Sequence, residues 1–80
     1  MKELLEKIVK SFVDNPADVK VSESVSPDGV KLLSLSVNPM DMGKVIGKSG
    51  KIAKALRLML RIPALKKGER VNLEIVESQS

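Results

Sequence analysis

The chain contains no cysteine, histidine, tryptophan or tyrosine, and Phe12 is its one aromatic residue. Without cysteine or histidine it can form no disulfide, no Cys/His metal site and no Cys/His nucleophile pair. With a single phenylalanine it cannot hold several nucleobases by aromatic stacking. We therefore expect a protein that is not an enzyme, with no catalytic residues, no cofactor and no metal.

Long apolar runs are also missing from the sequence. Lys2, Glu3, Glu6 and Lys7 alternate in charge at the N-terminus, which is unlike a signal peptide, and no run approaches the length of a membrane span. A chain of 80 residues predicts one small domain that buries about 60 to 65% of its unfolded surface. We interpret it as a soluble cytoplasmic protein with no membrane partner.

Charge is distributed unevenly along the chain. The net charge is +4, but residues 44–70 carry nine Lys or Arg against one acidic residue, a local balance of +8. A solvated helix face usually mixes both signs. Like charge concentrated in one stretch favours a polyanionic partner.

The basic stretch begins around a glycine-rich segment with two alternative interpretations. A nucleotide-binding P-loop needs four residues between its first glycine and Gly-Lys-Ser, whereas only three separate Gly43 from Gly47. Met42 stands where that loop would need glycine, and residues 38–41 (Asn-Pro-Met-Asp) do not form a buried strand before it. A nucleotide-hydrolysing enzyme is therefore disfavoured.

The second interpretation takes Gly47-Lys48-Ser49-Gly50 as a GxxG turn between two helices. Glycine accepts positive φ and has no β-carbon, so a sugar-phosphate chain can lie against the turn. Amides at the start of the second helix would face the phosphates, with Lys48 and Lys51 adding charge. The alternative is a tight turn whose glycines only end one helix and begin the next.

Apolar periodicity predicts the order helix, strand, strand, helix, turn, helix, strand. A proline should end the first and the third helix, and Ser26-Pro27-Asp28-Gly29 should connect the first two strands. The predicted ranges are helix 2–13, strand 19–25, strand 30–37, helix 39–46, helix 51–62 and strand 71–76.

The helix after the turn carries more apolar residues than one small sheet can bury. Ile52, Leu56 and Met59 supply one core stripe. Unless a tight core buries both stripes, a second stripe then remains for contact with another chain, bordered by Arg57 and Arg61. We predict a dimer interface at Ala55, Leu58, Ile62 and Arg61.

One continuous run resembles small bacterial RNA-binding proteins that consist of a KH domain alone, the KhpA family. The run is Asn38-Pro39-Met40-Asp41-Met42-Gly43-Lys44-Val45-Ile46-Gly47-Lys48-Ser49-Gly50-Lys51-Ile52-Ala53-Lys54-Ala55. This resemblance implies an α+β fold, a single type II KH domain of order α-β-β-α-(GxxG)-α-β with a three-stranded sheet and helices on one face. It assigns residues 1–77 to the domain and 78–80 to a disordered tail. Ala53, where many KH domains have a large aliphatic, and Pro63 depart from the common pattern.

The resemblance also implies binding of single-stranded RNA in a groove between the GxxG helices and the second strand. Val45 and Ile46, with Leu33 or Leu35, would form an apolar floor, although ordinary core packing is an equal alternative for each. The residues expected to contact RNA are Gly47, Lys48, Ser49, Gly50, Lys44, Val45, Ile46, Lys51 and Lys54.

The sequence is compatible with three functions. The first is an RNA chaperone or post-transcriptional regulator linked to cell elongation and division, acting as a homodimer or with a larger multidomain KH protein, as the resemblance implies. The second is a protein-interaction and dimerisation module with incidental RNA binding. The third is the disfavoured nucleotide-hydrolysing enzyme.

Overall fold

The computed structural model describes residues 2–78, and at Lys48 it describes the backbone alone. Within this range the chain forms three α-helices and three β-strands in the predicted order, which confirms the α+β class. The elements are α1 (Lys2–Lys10), β1 (Lys20–Val25), β2 (Lys31–Val37), α2 (Met42–Ile46), α3 (Lys51–Lys66) and β3 (Val71–Glu77). Short 3₁₀ turns precede β1, α2 and α3.

The sheet has the order β1-β2-β3, so β2 is the central strand and β3 has a free edge. β1 pairs antiparallel with β2, and β3 pairs parallel with β2 after the crossover through α2 and α3. Val21 lies opposite Leu35, and Leu33 lies opposite Leu73. All four are buried, so the helices cover one face of the sheet.

The hydrophobic core lies between that sheet face and the helices. On β2, Leu33, Leu35 and Val37 are buried while Leu32 is only half-buried, so one face of this strand carries the core. Phe12 packs partly buried against it. The core residues are Leu5, Val9, Val13, Val19, Val21, Leu33, Leu35, Val37, Val45, Leu56, Leu60 and Leu73.

Helix α3 is longer than predicted, because it continues through Pro63 to Lys66. Proline has no amide hydrogen and disfavours a helix interior by about 3 kcal/mol or more. The turn after it survives because Ala64 is buried against the core. The Ala64 carbonyl also accepts amide hydrogen bonds from Lys67 at 3.1 Å and Glu69 at 2.8 Å, which close the helix end.

The buried stripe of α3 also differs from the prediction. Ala53, Leu56, Leu60 and Ala64 face the core, while Ile52 and Met59 are 39% and 42% exposed. The assignment of Ile52 and Met59 to the core was therefore wrong. Two alanines on the buried face let the helix lie close to the sheet, and a pattern based on large side chains overlooks them.

The structure describes helix α1 near the N-terminus and the first residue of the predicted C-terminal tail, Ser78. Helix α1 ends at Lys10, three residues before the predicted boundary. The Ser78 amide donates a hydrogen bond to the Val37 carbonyl at 2.7 Å. Residues 79–80 of the predicted disordered tail lie outside the described range. Among the described residues, none of the helices has the length and apolar character needed to cross a bilayer.

Candidate nucleic-acid interface

The GxxG turn is built from backbone with positive φ. Gly47 ends α2 at φ 71° and ψ 178°, a region that is essentially restricted to glycine. A Cβ added there would lie 2.7 Å from Cγ1 of Ile52. At Gly50 the φ is 73°, but a Cβ would meet nothing within 4 Å. Backbone conformation thus favours glycine at both positions, and at Gly47 the close approach of Ile52 also excludes a β-carbon.

Ser49 lies between these glycines in the left-handed region, at φ 55° and ψ 26°, and is exposed. A non-glycine residue in this conformation costs about 1–3 kcal/mol and is typical of ligand-binding turns. Gly50 caps α3 and supplies no side-chain hydrogen bond to the first amides of the helix. These amides lack intrahelical partners, so the start of α3 offers N–H donors to an anion.

The lysines predicted to flank the turn are at the surface of α2 and α3. Lys51 and Lys54 are exposed and have no acidic partner within residues 2–78. Lys44, on α2, is different because its ammonium group forms an ion pair with the Asp14 carboxylate. At Lys48 the backbone belongs to the turn.

The predicted apolar floor is mostly absent from the surface. Val45 is fully buried in the core, as are Leu33 and Leu35 on the central strand β2. For these three residues the alternative of core packing holds. Ile46 alone among the predicted floor residues is substantially exposed, next to the turn. A groove over β2 is therefore not available on the helical side of the sheet.

A cavity of about 260 Å³ lies instead between α3 and the edge strand β3. Leu60 and Leu73 form its buried base, and the exposed residues Arg57, Arg61 and Asn72 stand around it. The complete lining is Arg57, Leu60, Arg61, Val71, Asn72 and Leu73.

This cavity is in line with the GxxG turn. Gly50, Lys54, Arg57 and Arg61 are spaced by three or four residues, so they follow one side of α3. With a rise of about 1.5 Å per residue, Arg57 lies about 10 Å along the axis from Gly50. Arg61 was predicted at a dimer seam, and Arg57 and Asn72 were not among the predicted site residues, yet all three line this cavity. The spacing of the cations from Gly50 was the signal that could have found Arg57.

Asp41 anchors the segment that leads into the turn. Its carboxylate is almost completely buried and accepts hydrogen bonds from the amides of Asp14 at 3.2 Å and Asn15 at 3.0 Å, and from the Asn15 side chain at 3.2 Å. Burial alone would raise the pKa of Asp41. These hydrogen bonds, together with the nearby Lys44 charge, outweigh burial and lower the pKa below its ordinary value. The ionised carboxylate thereby fixes α2 to the connection between α1 and β1.

A second surface on α3 faces away from the sheet. Leu58, Ile62 and Leu65 are at least half exposed, and Ala55 is exposed beside them. The apolar stripe left over in the sequence is thus on the surface. We call these four residues the outer stripe of α3.

Comparison with known proteins agrees with this architecture. The family model described as the KhpA/KhpB KH domain matches residues 2–75. In the solved structures, a variant of Aquifex aeolicus Era bound to GDP and tetrafluoroaluminate has the same fold over 95% of this chain and 29% of that chain. The TM-score is 0.60 and the identity 20%.

Curated relatives match along nearly their whole length. RNA-binding protein KhpA of Clostridium perfringens is 50% identical over 76 residues, which cover 95% of this chain and 100% of the relative. The protein of the same name from Clostridium acetobutylicum is 51% identical over the same shares of both chains. That from Aquifex aeolicus is 43% identical over 77 residues, or 96% of each chain. The chain therefore belongs to the KhpA/KhpB family of KH-domain proteins.

Proposed function

We propose that this protein binds single-stranded RNA, without catalysis, across the GxxG turn and the cavity between α3 and β3. The observation that carries the proposal is the alignment of the two: the glycine turn that opens α3 and the cavity bordered by Arg57 and Arg61 follow the same side of that helix, about 10 Å apart along its axis. Relatives named RNA-binding protein KhpA, about half identical over their full length, support RNA as the polyanion.

The turn binds the backbone of the RNA. Phosphate oxygens approach Gly50, where the position of a β-carbon is open space, and they accept hydrogen bonds from the amides that open α3. Lys51 and Lys54, with Lys48 in the turn itself, supply the positive field. A KH turn of this type holds about four nucleotides.

The cavity receives bases. Guanidinium planes stack on nucleobases, so Arg57 and Arg61 replace the aromatic residues that the chain lacks. Leu60 and Leu73 provide the apolar base of the cavity, and the Asn72 amide offers both a donor and an acceptor to a base edge. The protein should accordingly prefer unpaired strands, whose bases are free to leave the stack.

We further propose that the working form is a dimer through the outer stripe of α3. Three exposed large aliphatics on one helix face are unusual for a protein surface unless it binds another chain. The partner is a second copy or a larger multidomain KH protein, with Ala55, Leu58 and Ile62 at the seam. This stripe also favours the second candidate function, a dimerisation module whose RNA contact is incidental.

We also propose a cellular role for the RNA binding. The protein acts as an RNA chaperone or post-transcriptional regulator in the cytoplasm, linked to cell elongation and division.

Filter binding with a double variant tests the role of the turn. Lys48→Asp with Ser49→Asp puts carboxylates where phosphates lie and keeps both glycines, so the fold should remain and RNA binding at low salt should be lost. A control pair, Lys66→Asp with Ser24→Asp, makes the same change in formal charge at exposed positions outside the turn. It should retain most of the binding. Equal affinity of the turn variant and the parent would contradict the assignment.

The nucleic-acid form provides a second test. Single-stranded RNA should bind more tightly than a duplex of equal length, and raising salt from about 50 to 200 mM should weaken binding because counterions are displaced from phosphates. Preference for duplex, or binding that is insensitive to salt, would contradict the proposed site.

A further inference from the structure

The ion pair between Lys44 and Asp14 is exceptional in the basic region of this protein. Residues 44–70 contain nine Lys or Arg and one acidic residue, Glu69. Glu69 pairs with Lys31 on β2, outside this stretch. Within residues 2–78, Lys44 is the one cation of the basic stretch, among those whose side chains are described, that has a carboxylate partner.

Asp14 is held in position next to Lys44 by the surrounding backbone. Its own amide and that of Asn15 donate to the buried Asp41 carboxylate at 3.2 and 3.0 Å. A further link joins the same two segments, since the Asn38 side chain donates to the Asp18 carboxylate at 2.8 Å. These hydrogen bonds fix the segment that carries Asp14, so its carboxylate lies beside Lys44 on α2.

The pair is nevertheless open to solvent. The side chains of Lys44 and Asp14 are 45% and 74% exposed, so the Lys44 ammonium can change partners without unfolding. Lys44 is three residues before Gly47, on the helix that leads into the turn. A phosphate bound at the turn would thus compete with the Asp14 carboxylate for the Lys44 ammonium group. Both are oxygen anions that accept charge-assisted hydrogen bonds.

We propose that Asp14 is an affinity-determining residue of the RNA site: it competes with an RNA phosphate for Lys44 and so limits how tightly the turn binds. This role rests on the proposed RNA binding. An exposed ion pair of this kind is weak enough to be exchanged. Removing the competitor should therefore tighten RNA binding by about two- to five-fold, the equivalent of the usual strength of an exposed pair.

The competition also affects the dependence of binding on salt. An ammonium neutralised by Asp14 contributes little to counterion displacement, whereas a free ammonium neutralises one more phosphate. For single strands each additional phosphate contact steepens the plot of log K against log salt by about 0.7. Loss of Asp14 should therefore increase the magnitude of that slope by up to about 0.7.

The experiment measures single-stranded RNA binding over a salt series for Asp14→Asn and its control, Asp28→Asn. Asparagine keeps the size of the side chain, and the backbone bonds of Asp14 to Asp41 do not involve its carboxylate. Asp28 lies in the exposed turn between β1 and β2 and has no salt bridge within residues 2–78, so its replacement makes the same change in net charge without freeing a lysine. Both substitutions are repeated in a Lys44→Gln background, and thermal melts verify that each variant folds.

Support for the role of Asp14 requires three results together. Asp14→Asn binds RNA more tightly with a steeper salt slope, Asp28→Asn has a clearly smaller effect, and the gain from Asp14→Asn disappears in the Lys44→Gln background. An unchanged or weakened Asp14→Asn variant would overturn the inference, as would an equal gain in both variants or a gain that persists without Lys44. Absence of RNA binding in the parent itself would overturn the proposed function as well, so the two failures are distinguishable.

Discussion

Replacing Gly47 by alanine should destabilise this protein strongly, although the substitution adds only one methyl group. The residue lies at φ 71° and ψ 178°, and a new Cβ would be 2.7 Å from Cγ1 of Ile52 and 3.0 Å from its Cβ and Cδ1. Backbone strain in this region costs about 1–3 kcal/mol. The steric overlap adds about 1–3 kcal/mol, because the Ile52 Cβ at 3.0 Å is attached to the helix backbone and cannot rotate away. We expect Gly47→Ala to lower the free energy of unfolding by about 4 kcal/mol.

That loss is large for a chain of this size. At roughly 0.05–0.15 kcal/mol per residue, an 80-residue domain has a total stability of about 4–12 kcal/mol. For domains of this length about 1 kcal/mol corresponds to 4–8 °C in Tm. Gly47→Ala should therefore lower Tm by about 15–30 °C, and RNA binding at the growth temperature should fall with the folded fraction.

Gly50→Ala is the matched control. Gly50 has nearly the same φ, 73°, but no atom lies within 4 Å of its added Cβ. Only the left-handed conformation then opposes alanine, at about 1–2 kcal/mol, and the reduced freedom of the unfolded chain offsets part of it. We expect a net loss of about 1 kcal/mol, several-fold smaller than at Gly47.

A double-variant cycle isolates the contact with Ile52. Ile52→Ala removes Cγ1 and Cδ1, two of the three atoms that the new methyl group would meet. The double variant Gly47→Ala with Ile52→Ala should therefore lose about 1–2 kcal/mol less free energy of unfolding than the two single variants lose together. Urea unfolding followed by circular dichroism measures all four stabilities. Equal losses at Gly47 and Gly50, or strict additivity with Ile52→Ala, would show that contact with Ile52 does not destabilise the Gly47→Ala variant.

Three further predictions concern the cavity, the outer stripe and the buried carboxylate. Replacing Arg57 and Arg61 together by Gln should weaken RNA binding about 10- to 30-fold in filter assays, at about 1 kcal/mol per lost contact, without lowering Tm; unchanged binding would contradict the role of the cavity. Leu58→Glu should convert the dimer that we propose for the parent into a folded monomer in sedimentation velocity, and a dimer in both would exclude this seam. Because the pKa of Asp41 is lowered from 3.8, the ionised carboxylate stabilises the fold fully at pH values well above 3.8. This stabilisation is lost as pH falls through the folded-state pKa. In that acidic range the urea midpoint of the parent should therefore fall more than that of Asp41→Asn.

Much of the fold could be predicted because local signals agree with the tertiary structure. Alternation on β2 places Leu33, Leu35 and Val37 on one face, and the structure buries all three. Asparagine before Pro39 is a typical start signal for a helix, and the Asn38 side chain accepts a hydrogen bond from the Met40 amide at 2.9 Å. Such signals depend on neighbours in the chain, which a sequence displays directly.

The errors arise where packing over long distances decides the outcome. Pro63 is a helix breaker locally, but burial of Ala64 and the bonds to its carbonyl keep the last turn of α3. Apolar size suggested Ile52 and Met59 for the core, whereas the approach of α3 to the sheet selected two alanines instead. Neither effect can be read from periodicity, because each depends on which surface the helix meets.

In the candidate site, too, local features could be predicted from the sequence and long-range contacts could not. The GxxG turn is a local feature, so its glycines and positive φ could be anticipated. The cavity requires β3 to lie beside α3 as an edge strand, which brings Asn72 next to Arg57 only after folding. The buried position of Val45 and the pairing of Lys44 with Asp14, 30 residues earlier in the chain, likewise depend on the tertiary structure.

The RNA site can be mapped by NMR titration of the labelled protein with a short single-stranded RNA. We expect the largest amide shifts at residues 47–54 and at Asn72 on β3, together with shifts of the side-chain N–H signals of Arg57 and Arg61. A duplex of the same length should cause much smaller shifts. Shifts confined to Leu58, Ile62 and the rest of the outer stripe, or equal shifts with duplex, would contradict the proposed RNA site.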